Sequence, residues 1–261
     1  METIQLQPCA GLANRLRALV SGICGAEDLR RPLRIIWTRE YGVYAADFAE
    51  LFNLPAMDLP EWISIHDVGM GDTGAQQCLT PADWLIETRK PPFIPIAIKS
   101  YGQFHQSDPV RWQRWLRALK PHPRLASLLN SILNGAKPVG VHLRRGDNAQ
   151  AIAQSPTEAF EAAMDAYPDD TVFFVSSDHA GDKARLIARY PGRVLVAATT
   201  LDRLSLQGGL QAFLDFLGLA RCTEILGSAG SSFSEIAALY GGCKLRVIKS
   251  ASQDTLSQTS A

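Results

Sequence analysis

A regular alternation of short apolar runs and helix-patterned segments dominates the second half of the sequence, and it constrains the fold more than any other feature. Each run has the length and apolar content of a buried strand, and a segment with helical periodicity separates most of the runs. Crossover helices of this kind are what parallel strands require. The predicted strands are Val139–Leu143, Thr171–Val175, Arg193–Ala197, Thr223–Leu226 and Leu245–Ile248. The pattern predicts a Rossmann-like lobe with a parallel sheet.

The start of the chain shows one further strand–helix–strand unit. Ile4–Gln7 is a predicted strand, apolar residues then recur at helical spacing from Leu12, and Leu33–Trp37 is a second predicted strand. We expect the helix to end near Pro32, because proline cannot continue it. The unit indicates a second parallel sheet, in the N-terminal part of the chain.

The break at Asn134–Pro138 is the best predicted domain boundary, because Gly and Pro interrupt the helical pattern there. The chain has 261 residues, more than one domain of roughly 150 residues would need. We therefore predict an N-terminal lobe of residues 1–135, a C-terminal lobe of residues 136–250 and a flexible tail of residues 251–261. Within the first lobe, Ile94–Ile98 is a predicted strand interrupted by a proline.

Composition excludes several classes of protein. Lys and Arg number 26 and Asp and Glu number 26, so the chain lacks the basic excess of a nucleic-acid or acidic-membrane binder. No apolar run approaches the roughly 18 residues that a membrane span needs, and Met1–Gln7 does not read as a signal peptide. The five cysteines are scattered, and the histidines lack metal-ligand spacing. We expect a cytoplasmic protein with no integral membrane segment, no nucleic-acid partner and no metal.

Four polar turns follow predicted strands, at the edge of the sheet where open α/β folds bind their ligands. They are Gly11–Arg15, Arg144–Asp147, Ser176–Asp178 and Gly227–Ser232. Their coincidence at one kind of position predicts a binding site more strongly than any one turn does.

The Arg144–Arg145 pair is the sharpest of these signals. Two guanidiniums at a strand end can bind a phosphate through charge-assisted hydrogen bonds. Asp147 could orient one of them, and His142 lies two residues before Arg144, on the same face of an extended strand. The alternative is a surface arginine pair that forms a salt bridge with Asp147.

The small residues of Gly227–Ser232 precede a predicted helix. Backbone amides and the positive end of the helix dipole favour an anion there, and Ser231 and Ser232 add hydroxyl groups. The alternative is ordinary capping, with Ser232 and Glu235 as a capping box.

Two further turns leave a binding and a structural interpretation open. Asp178 could bind a ribose or a base edge, or it could cap the helix that follows. Asn14 and Arg15 lie in a predicted first helical turn, where they could face a ligand or simply solvent.

Taken together, the motifs resemble those of the fucosyltransferase superfamily, which contains the α1,2-, α1,6- and protein O-fucosyltransferases and the rhizobial chitooligosaccharide fucosyltransferase. Gly140–Asp147 resembles its H-x-R-R-x-D motif, and Gly11–Arg15 resembles its N-terminal G-x-x-N-[RQ] motif. Phe173–Asp178 resembles the second C-terminal motif, although Ser177 stands where many members have Asp. Asp215–Tyr240 resembles the third.

The resemblance implies a GT-B-like α/β fold, with two Rossmann-like lobes that carry parallel sheets and a cleft between them. Residues 1–135 would form the lobe on the acceptor side, and residues 136–250 would form the lobe that binds the nucleotide sugar. It implies an inverting, metal-independent glycosyltransferase that moves fucose from GDP-fucose to a glycan or glycoconjugate. Arg144 would then lie on the leaving diphosphate with support from Arg145 and Asp147, and Asp178 would lie near the guanosine. The other nucleotide-sugar contacts implied are His142, Ser231, Ser232 and Phe233 in the C-terminal lobe and Gly11, Asn14 and Arg15 in the N-terminal lobe.

Two alternatives stay open at this point. The first is a catalytically silent protein of the same fold that binds a nucleotide sugar or acts as a scaffold. The second is a different α/β enzyme acting on nucleotides, such as a hydrolase.

Overall fold

A computed structural model describes residues 2–40, 43–71, 73–146, 149–197 and 205–250. The chain divides into two compact units, Met1–Pro123 with Asp202–Leu210 and Arg124–Leu201 with Gln211–Ala261. The predicted boundary after residue 135 and the predicted tail stay predictions, since the tail, residues 251–261, lies outside the described residues.

The first unit is built on a five-stranded parallel sheet. Its strands are β1 (Ile4–Pro8), β2 (Leu33–Arg39), β3 (Ile63–Met70), β4 (Gln76–Gln77) and β5 (Ile96–Ser100). They lie in the order β3-β2-β1-β5-β4. The chain therefore leaves β1 towards β2 and β3 on one side, while β5 and β4 lie on the other.

Four helices of the first unit are α1 (Leu12–Leu29), α2 (Phe48–Leu51), α3 (Pro81–Thr88) and α4 (Pro109–Ala118), and a short 3₁₀ helix covers Leu54–Ala56. Helix α1 packs closely on β1 at Gly22, where an added Cβ would lie 2.4 Å from Leu6 Cδ2. This close approach sets the position of α1 against the sheet, and it is the reason a glycine stands there.

The second unit repeats the arrangement. Its strands are β6 (Val139–Leu143), β7 (Phe173–Ser177), β8 (Val194–Leu195), β9 (Glu224–Ser228) and β10 (Lys244–Ile248), all parallel, in the order β10-β9-β6-β7-β8. The remaining helices are α5 (Pro123–Leu133), α6 (Ala149–Gln154), α7 (Thr157–Asp165), α8 (Ala180–Arg189), α9 (Leu206–Ala220) and α10 (Ser232–Gly241). Helix α9 begins in the first unit, which extends to Leu210, and the rest of it belongs to the second unit. Two parallel sheets with crossover helices confirm the predicted α/β class.

A continuous apolar core stabilises the second unit. Val141 and Leu143 of β6 and Phe173 and Val175 of β7 are fully buried and pack with Phe160 of α7. Alternate residues of each strand supply this core, so the next residues along β6 and β7 point to the other face of the sheet. The core holds the carboxyl ends of the central strands in fixed register.

Most elements expected from the sequence are confirmed, with shifts of a few residues at their ends. The predicted strand at Ile94–Ile98 begins instead at Ile96, because Pro95 has no N–H to give to a strand ladder. The sequence patterns did not predict β3, β4, α3 or α6. In the part of the chain that the structure describes, no helix is long and apolar enough to cross a bilayer.

Candidate functional site

The strand order of the second unit reverses at β6, and polar residues collect at that point. From β6 the chain runs to β7 and β8 on one side, while β9 lies on the other. Open α/β sheets bind ligands beyond the carboxyl ends of strands at such a reversal. Arg144, just after β6, donates from its backbone N–H to Ser228 Oγ of β9 at 2.9 Å, and that hydroxyl donates to the carbonyl of His142 at 3.2 Å. These hydrogen bonds connect the carboxyl ends of β6 and β9.

Arg144 is held in place by Asp178. The Arg144 Nη1 atom lies 2.6 Å from Asp178 Oδ2, and the backbone N–H of Arg145 donates to Asp178 Oδ1 at 2.7 Å. The Arg144 side chain is 26% exposed, whereas that of Asp178 is 8% exposed. Asp178 therefore orients a guanidinium that still reaches the surface. His179 and not Asp178 is the N-cap of α8, so the helix-capping interpretation of Asp178 was wrong, whereas its contact with the guanosine stays a prediction.

Arg145 has a different position from its neighbour. Its Nη1 donates to the carbonyls of Arg144 and Ser155, its Nη2 donates to Thr157 Oγ1 at 3.0 Å, and its Nε lies 3.3 Å from Asp182 Oδ2. The side chain is buried. The two arginines therefore do not act side by side on one anion, as their sequence pairing suggested. Successive side chains in extended backbone point in opposite directions, so one arginine faces outward and the other faces the interior. The third residue of this predicted group, Asp147, lies outside the described residues.

His142, Ser231 and Phe233 are brought together by the fold. The His142 and Phe233 rings lie 5.0 Å apart at an angle of 31°, and Ser231 Oγ lies 3.5 Å from His142 Nδ1. His142 and Ser231 are buried, while Phe233 is half-buried. Strands β6 and β9 are paired through His142 and Gly227, which places these residues beside Arg144. Three of the predicted nucleotide contacts therefore share one location.

The N-terminus of α10 differs from the predicted capping box. Ser231 is the N-cap and Ser232 is the first helical residue, so the pairing of Ser232 with Glu235 was wrong. The Ser231 side chain makes no capping hydrogen bond, and Gly230 before it has φ +64°. This glycine turn sets Ser231 in extended backbone. The first N–H groups of α10 are therefore not capped by the N-cap side chain, which suits them to receive an anion.

A buried ion pair next to these residues was not singled out from the sequence. Lys183 Nζ lies 3.4 Å from Asp215 Oδ2, which also accepts from Ser176 Oγ at 3.1 Å, and Lys183 and Asp215 are each 2% exposed. Burial raises the pKa of Asp215 to about 6, and Lys183 and Ser176 oppose that rise. Ser176 pairs with His142 in the sheet register. The signal available in the sequence was a single carboxylate inside an otherwise apolar helix.

In the first unit, Gly11 and Asn14 occupy the carboxyl end of β1. Gly11 is the N-cap of α1 in extended backbone, and an added Cβ there would meet nothing within 4 Å. Asn14 is half-buried in the first helical turn. Strand order reverses between β1 and β5, so these residues stand at the equivalent position of the first sheet.

Arg15 does not face a ligand, contrary to the expectation from the motif. Its side chain is fully buried, with the guanidinium 5.1 Å from the centre of the Trp37 ring and 5.5 Å from that of Tyr44. It donates to the carbonyls of Ala10, Pro8 and Thr38 and lies 3.4 Å from Glu40 Oε2. Burial lowers the pKa of Arg15. The helical periodicity explains this, because Arg15 lies on the buried face of α1 between Leu12 and Leu19.

No cluster of three or more His, Cys, Asp or Glu side chains suited to a metal ion occurs among the residues that the structure describes. Asp147 lies outside the described residues, and metal independence stays a prediction.

Known structures resemble the whole chain. A crystal structure of the fucosyltransferase NodZ from Bradyrhizobium matches with a TM-score of 0.65 at 14% identity, over 97% of this chain and 97% of that one. NodZ α-1,6-fucosyltransferase soaked with GDP-fucose matches at 0.60 and 17% identity, over 92% and 93%. POFUT1 in complex with GDP matches at 0.61 and 12% identity, over 95% and 98%.

No protein-family model and no curated protein matches the sequence itself. The structural matches therefore establish the fold. The chain has the fold of these fucosyltransferases, which confirms the fold expected from the resemblance of its motifs.

Proposed function

We propose that the protein is a glycosyltransferase that transfers fucose from GDP-fucose to a glycan or glycoconjugate, with inversion and without a bound metal. The structures it resembles support the donor, since NodZ has been co-crystallised with GDP and soaked with GDP-fucose, and POFUT1 has been solved with both. The observation that carries the proposal is the partly exposed Arg144 guanidinium, oriented by Asp178 at the reversal of strand order.

Charge development in glycosyl transfer explains why this arrangement suits the reaction. As the bond between the sugar and the diphosphate breaks, the sugar becomes positive and the diphosphate becomes more negative. A donor placed at the diphosphate stabilises the transition state more than the ground state. Arg144 supplies one positive charge, and the N-terminus of α10 supplies the positive end of a helix dipole. These two groups take the part that a divalent cation plays in metal-dependent transferases.

The residues around Arg144 fall into two groups, those proposed to contact the nucleotide and those that hold Arg144 and its backbone in position. Ser231, Ser232 and Phe233 are proposed to contact the nucleotide, and the His142 ring packs against the Phe233 ring. Asp178 acts through Arg144, since both of its oxygens are bound to the arginine segment. Arg145 is proposed to hold the backbone after β6 in position, because its guanidinium contacts Ser155, Thr157 and Asp182. In the first unit, Gly11 and Asn14 stay proposed contacts of the sugar-phosphate.

The test begins with the nucleotide and with Arg144. GDP should raise the melting temperature more than UDP or ADP does, and Arg144→Ala should abolish that rise while leaving the ligand-free protein folded. Arg189→Ala is the matched control, because Arg189, at the end of α8, is an exposed arginine of the same unit that also pairs with a carboxylate, that of Asp165. Loss of one charged donor at a developing charge typically lowers the rate about 10²- to 10³-fold. Unchanged GDP binding in Arg144→Ala would refute the role of this residue.

Turnover separates an enzyme from a silent binding protein. Release of GDP from GDP-fucose should rise when an acceptor glycan is added, and mass spectrometry should show the glycan gain one deoxyhexose. Binding of GDP-fucose without turnover on any glycan of a broad panel would instead support the silent protein.

A further inference from the structure

The carboxyl ends of β1 and β5 in the first unit carry exposed groups that the nucleotide site does not use. Cys9, just after β1, donates its N–H to the carbonyl of Ser100 at the end of β5, at 2.9 Å. The next residue on the β5 side is Tyr101, which is 40% exposed, and Gln103 two residues later is also exposed. Gly11, a proposed contact of the sugar-phosphate, lies at the β1 side of the same edge.

The segment that presents Tyr101 and Gln103 is fixed at both ends. Ser100 is fully buried, and its hydroxyl accepts from the Gly102 N–H at 3.2 Å. Phe104 is also fully buried, with its ring 5.2 Å from that of Trp84. Gly102 lets the turn approach the backbone at Leu79, since an added Cβ would lie 3.2 Å from the carbonyl of Leu79. A ligand that binds here therefore meets side chains on an ordered backbone, which lowers the entropic cost of binding.

We propose that Tyr101 and Gln103 form a saccharide-binding subsite that holds a ring of the acceptor glycan, an assignment that rests on the proposed transferase function. A tyrosine ring offers a flat apolar face with negative charge density, which suits the C–H face of a pyranose. The exposed Gln103 amide donates and accepts hydrogen bonds, which suits sugar hydroxyls. Both side chains are uncharged, so they match a neutral saccharide rather than a phosphate or a charged peptide.

Position within the fold supports this assignment over simple surface exposure. Phe93 is more exposed than Tyr101, at 73%, but it precedes β5 and so lies at the amino end of that strand. Ligands of open α/β sheets bind at the carboxyl ends, where Tyr101 stands. Phe93 is therefore a control for Tyr101, since both are exposed aromatic residues and they lie at opposite ends of β5.

The experiment measures saccharide binding to the full chain in the absence of nucleotide. Neutral oligosaccharides of β-linked hexose and β-linked N-acetylhexosamine are the probes, and saturation-transfer NMR with titration is the readout. Tyr101→Ala should weaken binding about tenfold, the equivalent of one aromatic stacking contact. Tyr101→Phe, which keeps the ring, and Phe93→Ala should each stay within about twofold of the wild type.

The outcomes separate this proposal from the proposed function. Failure of every probe to bind the wild type, equal binding by Tyr101→Ala, or an equal loss in Phe93→Ala would overturn the subsite. The melting-temperature rise with GDP should be the same in Tyr101→Ala and in the wild type. Saccharide binding that depends on Tyr101 in a protein without GDP binding would leave the subsite standing and refute the transferase.

Discussion

At the scale of single residues, the structure distinguishes two buried arginines of the motifs from one arginine that reaches the surface. Arg15 and Arg145 both match motif positions, yet both guanidiniums are directed into the protein, where backbone carbonyls accept from them. Arg144 pairs with the Asp178 carboxylate, and its side chain is partly exposed. A sequence motif gives the residue type and the spacing, but the direction of a side chain depends on helix phase and strand alternation. Of the three arginines, Arg144 is the one whose side chain reaches the surface, which is why we propose it as the contact of the diphosphate.

Asp215 provides a residue-scale prediction about pH. Burial raises the pKa of Asp215 in the folded protein to about 6, whereas the unfolded chain has the ordinary aspartate pKa of about 3.9. Between these values the folded state holds a proton that the unfolded state has released, so this group makes the protein less stable as pH rises through that window. The difference in unfolding free energy between wild type and Asp215→Asn should therefore fall between about pH 4 and about pH 6 and change little above.

Urea denaturation at a series of pH values measures that difference. In the folded protein, Lys183 and Ser176 both contact the Asp215 carboxylate, and both contacts act against the effect of burial on its pKa. A difference that rises with pH would contradict the prediction, since it would mean that the attraction of Lys183 outweighs desolvation and lowers the pKa of Asp215.

At the scale of elements, we expect the glycine turn before α10 to position the first N–H groups of that helix for nucleotide binding. Gly230 has φ +64° and an added Cβ would meet no neighbour, so Gly230→Ala introduces backbone strain without a clash. The expected cost is about 1 kcal/mol of stability. Relaxation of that strain would move the first N–H groups of α10, so GDP binding should weaken as well. Gly192, with φ +74° and equally open surroundings, is the matched control after α8.

Chemical denaturation and GDP titration of the two variants test the role of the turn. Both Gly230→Ala and Gly192→Ala should lose a similar amount of stability, and only Gly230→Ala should lose GDP affinity. An equal effect on GDP binding in both variants would assign the loss to general destabilisation instead of to the turn.

Elements differed in how far the sequence could predict them. Strands β6 and β7 are buried on both faces and read as apolar runs, so their existence was clear from composition alone. Strand β3 lies at the edge of its sheet, and most of Ile63–Met70 is exposed or half-buried, so it has no apolar periodicity to detect. The ion pair of Lys183 and Asp215 joins residues 32 positions apart, which no local pattern indicates.

At the scale of the whole molecule, two parallel sheets each reverse their strand order once, and each reversal carries ligand-type side chains. Arg144 and the start of α10 stand at the reversal in the second sheet, and Gly11, Asn14 and Tyr101 stand at the reversal in the first. The sequence predicted ligand-type side chains after β1, β6 and β9, because a polar turn follows each of these predicted strands. Tyr101 escaped detection because it lies in the segment with the weakest pattern.

Charge balance gives a last prediction at this scale. The chain carries 26 basic and 26 acidic residues, so its attraction for a nucleotide comes from one local site and not from a general positive field. Calorimetric GDP affinity should therefore fall less than about tenfold between about 0.05 and about 0.5 M salt, because few counterions are exchanged and Arg144 is partly shielded from solvent. Single-stranded RNA should not displace GDP. A much steeper salt dependence, or displacement by RNA, would mean that an extended basic surface binds the phosphates, and Arg144→Ala would then have only a small effect.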